Sequence, residues 1–461
     1  MSRKRVVILD GAPARDARLE RVLELLITEF ERDGAQVEVI APRSLSLTYC
    51  KGCFGCWLET PGTCVEADAG REVTRAVARS DTTVLFTPVR FGGYASDLKH
   101  VVDRLVPLAL PFFATIRGET HHVPRYLHRP RLVGVGVLPE PDHRAEKIFR
   151  VLVGRNAINF HAPSHAAEVV CATDGAGGLS DRFRDLLSRT DKPPFGTAVA
   201  SLFPAPDADF VATHAAHGHR VLLIVGSPKT KSPSTSGVLG NHLLRRLEGC
   251  GWQAEALTLR DRSLGEAHRP SLLEAVDRAD LLVLAFPLYI DALPYLVTRA
   301  LEIIADHRRT SAQTRPQRLV AIVNNGFPEP HQNALALAIC GQFAAECGIE
   351  WAGGLAMGAG EALSSGRPLS ATPALGAPPV RHVMRALDLT ADALAAGHPV
   401  PAAAVTMIGA SPLPFVPLAG WRWIFKLGGE ASWRRQAAAL GVSAAGLLAR
   451  PDDAGASKQV R

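Results

Sequence analysis

Two stretches of this chain, far apart in position, spell out the same series of elements. "RVVILDGAP", from Arg5, pairs with "RVLLIVGSP", from Arg220. "RAVARSDTTVLFTPVRFGGYASDLKHVVDRL" pairs with "EAVDRADLLVLAFPLYIDALPYLVTRALEII", and "RPRLVGVGVLPEP" with "RPQRLVAIVNNGFPEP". Recurrence of whole elements in one order is domain duplication, not a short-period solenoid. Whatever one copy folds into, the chain must build twice.

Within each copy, short apolar runs alternate with helical patterns. Leu19, Val22, Leu23, Leu26, Ile27 and Phe30 fall on one face of a helix. The continuous runs "VVIL", "TVLF", "LVGVGV", "VLLIV" and "LLVLAF" suit strands buried on both faces. This alternation predicts an α/β chain of two tandem, doubly wound parallel-sheet domains. Ligands of such sheets bind beyond the carboxyl ends of the strands, so the loops there should carry function. The domains are expected at 1–189 and 219–400. Residues 190–218 form a Pro/Ala/Asp-rich linker in which "GTAVASLF" is a candidate edge strand. The tail, 401–461, holds Pro412, Pro414, Pro417, Trp421, Trp423 and Trp433. Three prolines interrupt its longest apolar piece, so it reads as a lid on the second domain, not a membrane span.

The net charge of +6 is small for 461 residues, and no Lys/Arg run is present to track a phosphate backbone. Nucleic acid is therefore an unexpected partner. The start passes within five residues into the first strand, without the regions of a signal peptide. A reducing, cytoplasmic setting is expected, where structural disulfides are rare.

The loop after the second copy's first strand, "GSPKTKSPSTSG", offers Ser227, Ser232, Ser234, Thr235 and Ser236 with Lys229 and Lys231, just before a helix. Hydroxyls and amides at a helix N-terminus suit a phosphate. Pro287, Leu288, Tyr289 and Ile290 form an apolar, aromatic turn at the same sheet edge, and Asn324, Asn325 and Gly326 supply amides. Together they describe a site for flavin mononucleotide (FMN).

These motifs, with "TPVRFGG…LKHVVDR" in the first copy, resemble the flavodoxin-like NADPH-dependent FMN reductase family over about 1–170 and 219–400. The resemblance implies phosphate contacts from Ser227, Lys229, Ser234, Thr235 and Ser236, and ring contacts from Pro287 to Ile290. In the first copy Pro88, Val89, Arg90, Phe91 and Gly92 match the ring loop. It further implies NAD(P)H as cosubstrate, a flavin, quinone or protein electron acceptor, and a pseudo-dimer of the two domains. The first phosphate loop departs from the pattern. It reads "DGAPARDARLERV", with Ala12 in the place of Ser227 and no hydroxyl residue before Thr28, so FMN is expected in the second domain, and whether the first also binds one stays open. A non-enzymatic electron carrier, and a first domain serving only as a structural or regulatory partner, stay open. No acid–base pair stands out, and His121 with His122 reads as a solvated surface pair.

"CKGCFGCWLETPGTC" places four of the eight cysteines, Cys50, Cys53, Cys56 and Cys64, within fifteen positions. From Gly11 to Pro88 is 77 positions, against 61 from Gly226 to Pro287, so this loop lies in an insertion that the sister copy lacks. Core packing therefore explains it poorly. The C-x2-C-x2-C-x7-C spacing directs thiolates at one point, and resembles the four-cysteine motif of iron–sulfur flavoproteins, which holds a four-iron ([4Fe–4S]) cluster. Zinc and metal-free thiols remain alternatives.

Overall fold

The structure, a computed structural model, describes residues 3–207, 219–229, 233–311, 316–360, 366–369, 380–413 and 416–452. The chain forms two units, Met1–Phe195 with Phe425–Arg461, and Gly196–Ile424.

In the first unit, strands β1 (Arg5–Asp10), β2 (Gln36–Ile40), β3 (Thr82–Arg90), β7 (Arg131–Leu138) and β8 (His165–Cys171) run parallel in the order β2-β1-β3-β7-β8. A two-residue strand β4 (Gly93–Tyr94) folds back on β3, and β5 (Ala109–Ile116) pairs with β6 (Glu119–Pro124) as a separate antiparallel ribbon. The second unit repeats the parallel sheet with β9 (Arg220–Val225), β10 (Gln253–Thr258), β11 (Leu281–Pro287), β12 (Arg318–Asn324) and β13 (Glu350–Met357), in the order β10-β9-β11-β12-β13. Counting parallel strands alone, both orders are 2-1-3-4-5, the flavodoxin-like arrangement.

The physical cause is legible in burial. β1 and β9 are buried from their second residue onward, whereas the edge strands β2 and β10 are partly exposed. The apolar face of the helix Ala17–Arg32 buries Leu19, Val22, Leu26 and Phe30 on its sheet. Equivalent glycines end the first strands. A Cβ on Gly11 would lie 2.5 Å from Leu98 Cβ, and one on Gly226 would lie 2.1 Å from Val297 Cγ2. Only glycine lets the strand end approach the neighbouring helix this closely.

Two details differ from the sequence expectation. "GTAVASLF" supplies no strand: Thr197–Ala200 is one helical turn, because no sheet edge pairs with it. The tail, expected as a lid on the second domain, divides. The helix Ala402–Ile408 lies in the second unit, while residues from Phe425 onward group with the first. Among the described residues no helix is long and apolar enough to cross a membrane.

Candidate functional site

In the second unit Asn324, the last residue of β12, joins the three loops singled out by sequence. Its side-chain oxygen accepts the Ser236 hydroxyl at 2.7 Å, and its backbone carbonyl accepts the Leu288 amide at 2.8 Å. Leu288 leads into a tight turn in which Tyr289 and Ala292 exchange backbone hydrogen bonds at 2.9 and 3.1 Å. The central residues Ile290 and Asp291 have φ of 45° and 58°. Positive φ at both central positions is a type I′ turn, and a β-branched residue there is strained. The first copy makes the same turn: Arg90 pairs with Gly93 around Phe91 (φ 55°) and Gly92 (φ 77°). Pro88 and Arg90 are half-buried there, while Val89, Phe91 and Gly92 are buried. A non-glycine residue thus takes the first positive-φ position of this turn in both units.

Ser234 caps the helix Thr235–Gly249, its hydroxyl accepting from the Gly237 amide at 3.0 Å. Thr235 and Ser236 are buried and turned inward, Thr235 toward the Gly360 carbonyl at 3.4 Å. That leaves the helix-end amides and Ser234 to face outward among the described residues, with Lys229 half-buried in the preceding loop. Ser227 is buried, and Lys231 and Ser232 lie outside the described residues. Pro287 to Ile290 are half-exposed, Gly326 is exposed, and Asn325 is buried. The buried Asn325 side-chain oxygen has no partner among the described residues, while its amide donates to the Glu329 carbonyl at 3.0 Å. No carboxylate lies between Gly226 and Gly237. These residues fit a flavin phosphate and ring.

The first copy does not fit a phosphate. Asp16 caps the helix Ala17–Arg32 by accepting from the Arg18 and Leu19 amides at 3.1 and 3.2 Å. Buried Asp10 accepts from the Ala12 amide at 3.0 Å and pairs with Arg43 at 2.6 Å. Amides that a phosphate would need are already bound to carboxylates, and a dianion there would face two like charges.

Sequence reasoning missed the residues that hold both loops. Arg260 donates to the carbonyls of Ser227 and Lys229 at 2.9 and 3.0 Å. Arg43 does the same for Ala12 at 2.8 Å. A signal was present, since each arginine follows the second strand of its copy by two or three residues. A groove of about 540 Å³ lined by Arg220, Leu273 and His307 lies at the amino end of β9, the wrong strand end for these loops.

The cysteine loop belongs to the first unit. Buried Arg104 staples it, bonding Asp68 after the loop at 2.7 and 2.8 Å and the Thr48 carbonyl before it. Burial disfavours the Asp68 carboxylate, but the Arg104 and Thr48 hydrogen bonds outweigh this and hold its pKa well below the usual range. Gly52 and Phe54 both adopt left-handed backbone. The Gly52 amide bonds to Cys50, and that of Gly55 reaches the Cys53 sulfur at 3.5 Å. Cys53 is exposed, Cys56 buried, and Cys50 and Cys64 intermediate, with no disulfide among them. Burial pushes the Cys50 thiol up to about 12, although the residue keeps some exposed surface, and pushes Cys56 well above its ordinary value. Cys50, Cys53 and Cys64 lie near enough to Cys56 to raise it further. Buried Arg104 faces Cys64 and Cys50, and buried Arg125 faces Cys56. The thiols thus share one neighbourhood beside two cations. Among the described residues, no group of three or more His, Cys, Asp or Glu side chains converges to hold a single metal ion.

The histidine pair is not solvated. The β5–β6 ribbon folds it inward: His121 is fully buried, with Nδ1 2.9 Å from Asn159 Oδ1. The His122 ring lies between Trp57 (4.6 Å between centroids) and Phe113 (5.2 Å). This enclosure lowers the His122 pKa to about 4, and burial lowers His161 and His165 in the same sense. A buried neutral histidine stabilises the fold above its unfolded pKa near 6.5, and that contribution is lost as pH falls toward its folded pKa. The first unit should therefore lose stability between pH 6.5 and 4 as His122, which keeps some exposed surface, takes up a proton. Urea midpoints at pH 7 and pH 4.5 will measure this, with a shallower slope expected for His122→Gln.

Comparison with known proteins places the first unit. The model of the NADPH-dependent FMN reductase family matches residues 4–120. An iron–sulfur flavoprotein of Archaeoglobus fulgidus is 30% identical over 124 residues, 27% of this chain and 47% of that protein. One of Methanocaldococcus jannaschii is 28% identical over 108 residues, 23% of this chain and 55% of its own length. The chain spans about half the length of these relatives. Among solved structures, the NAD(P)H:quinone oxidoreductase of Methanothermobacter marburgensis aligns at 14% identity and a TM-score of 0.34, covering 41% of this chain and all of that one. An azoreductase of Bacillus anthracis aligns at 11% and 0.28, covering 39% of this chain and 99% of its own. Over residues 4–120, then, the chain is similar to the NADPH-dependent FMN reductase family, and both of its units share the flavodoxin-like strand order.

Proposed function

We propose that the chain is an NAD(P)H-dependent flavoprotein oxidoreductase whose second unit holds FMN and whose first unit carries a redox-active cysteine site. The observation that carries the reading is the meeting of three loops at Asn324. It brings an anion-ready helix end, a strained apolar turn and a buried amide pair to one sheet edge. FMN, when bound, would supply the exchange between two-electron donors and the acceptor. The chain's own residues position it: Arg260 holds the phosphate loop, Ser234 and the helix amides receive the phosphate, and the turn 289–292 presents a wall to the ring. In the first unit, Cys50, Cys53, Cys56 and Cys64 would hold a four-iron cluster. Amide bonds to sulfur and the buried Arg104 and Arg125 would balance its negative charge. The acceptor is a small molecule, such as a quinone or free flavin, or a protein.

Anaerobic addition of NADPH or NADH to the flavin-loaded protein tests this. Loss of flavin absorbance within seconds, and sustained turnover with a quinone, is the expected result. Reduction by dithionite but by neither nicotinamide would leave a non-enzymatic electron carrier instead.

A further inference from the structure

The C-terminal segment lies outside both parallel sheets and outside the family match, yet it packs against the cysteine loop. We propose that residues 425–452 complete the cysteine site as its outer wall, and so decide which of the four thiols meets solvent. The redox reading above gives this wall its purpose; its existence rests on the contacts alone.

Three sets of contacts build it. The first is aromatic. Trp433 sets its edge against Trp57 (5.4 Å, 83°) and Phe54 (5.2 Å, 69°), which are themselves stacked at 5.0 Å. Ala437 and Leu447 are buried in one apolar cluster with Cys56, Trp57 and Leu58. The wall therefore closes directly over the helical turn Gly55–Leu58 that carries Cys56.

The second set straps the wall down. Fully buried Arg125 donates to the carbonyls of Leu447 (3.0 Å) and Ala449 (2.7 Å), and Arg450 donates back to the Arg125 carbonyl at 2.8 Å. Asp452, 7% exposed, pairs with Arg75 at 3.1 Å and accepts the Tyr126 hydroxyl at 3.1 Å. Arg125 is also the cation facing Cys56, so one side chain serves both the strap and the thiol.

The third is steric. Gly62, two residues before Cys64, has φ +88°, and a Cβ there would fall 2.6 Å from Pro451 Cδ and 3.2 Å from the Ala449 carbonyl. Loop and strap fit together only because this position lacks a side chain. The consequence is an asymmetric site: Cys56 lies behind the wall, while Cys53 stands outside it.

The test is residue-resolved alkylation of the full-length protein as purified, without iron loading, using N-ethylmaleimide and peptide mass spectrometry. Cys53 should label fast and Cys56 slowly in the wild type. Trp433→Ala should accelerate Cys56 at least tenfold, and Asp452→Asn severalfold. Cys171, at the end of β8 in the same unit, should keep its rate. Unchanged Cys56 labelling in both variants overturns the proposal. If Trp433→Ala also accelerates Cys171, the unit has loosened and Asp452→Asn decides: faster Cys56 at constant Cys171 supports the wall, and constant Cys56 refutes it. Because the unloaded protein is used, failure of the cluster assignment leaves this readout intact.

Discussion

Replacing Ser234 by Asp will release flavin from the second unit while leaving that unit folded. Asp caps a helix about as well as Ser, so the helix Thr235–Gly249 keeps its N-terminal bond. The new carboxylate, however, stands where the phosphate is proposed to bind. Two unit charges 4 Å apart at an effective dielectric of 20 repel by about 4 kcal/mol, roughly a thousandfold in affinity. The first copy already carries this arrangement in Asp16, so the variant turns one loop into the likeness of the other. Flavin retention after dialysis, with the denaturant midpoint as control, measures the outcome. A variant that retains flavin as the wild type does would place the phosphate elsewhere.

The second large effect concerns metal. Anaerobic reconstitution with iron and sulfide should load the wild type with about four of each per chain, and the Cys53→Ser, Cys56→Ser variant with neither. Removing two of four ligands leaves no closed thiolate set. Equal uptake by both proteins, or uptake by neither, ends the cluster assignment. The loop is then a thiol-bearing wall, with Cys50 and Cys56 protonated and unreactive because burial holds their thiols neutral.

The fold was legible because parallel strands buried on both faces must be continuously apolar, and "VVIL" and "LLVLAF" admit few other roles. The recurrence of the pattern in two stretches doubled that signal, and setting the two side by side exposed the cysteine loop as extra residues in the first. "GTAVASLF" misled because a short apolar run reads alike as strand or helical turn, and only the absence of a pairing edge decides. His121 and His122 misled because a dipeptide carries no sign of the ribbon that folds over it.

At the candidate site, residue types were visible but their directions were not. The sequence determined that hydroxyls, amides and an apolar turn share one sheet edge, because topology sends the ends of parallel strands to the same side. Tertiary structure alone decided that Ser236 turns inward to Asn324, that Arg43 and Arg260 clamp the two loops, and that Asp10 and Asp16 occupy the first anion site. It alone placed Trp433 on a cysteine loop more than 350 positions away, and Asp452 against Arg75 and Tyr126. Local pattern encodes periodicity and burial, whereas a hydrogen bond or a packed ring depends on which distant segment arrives and from which side.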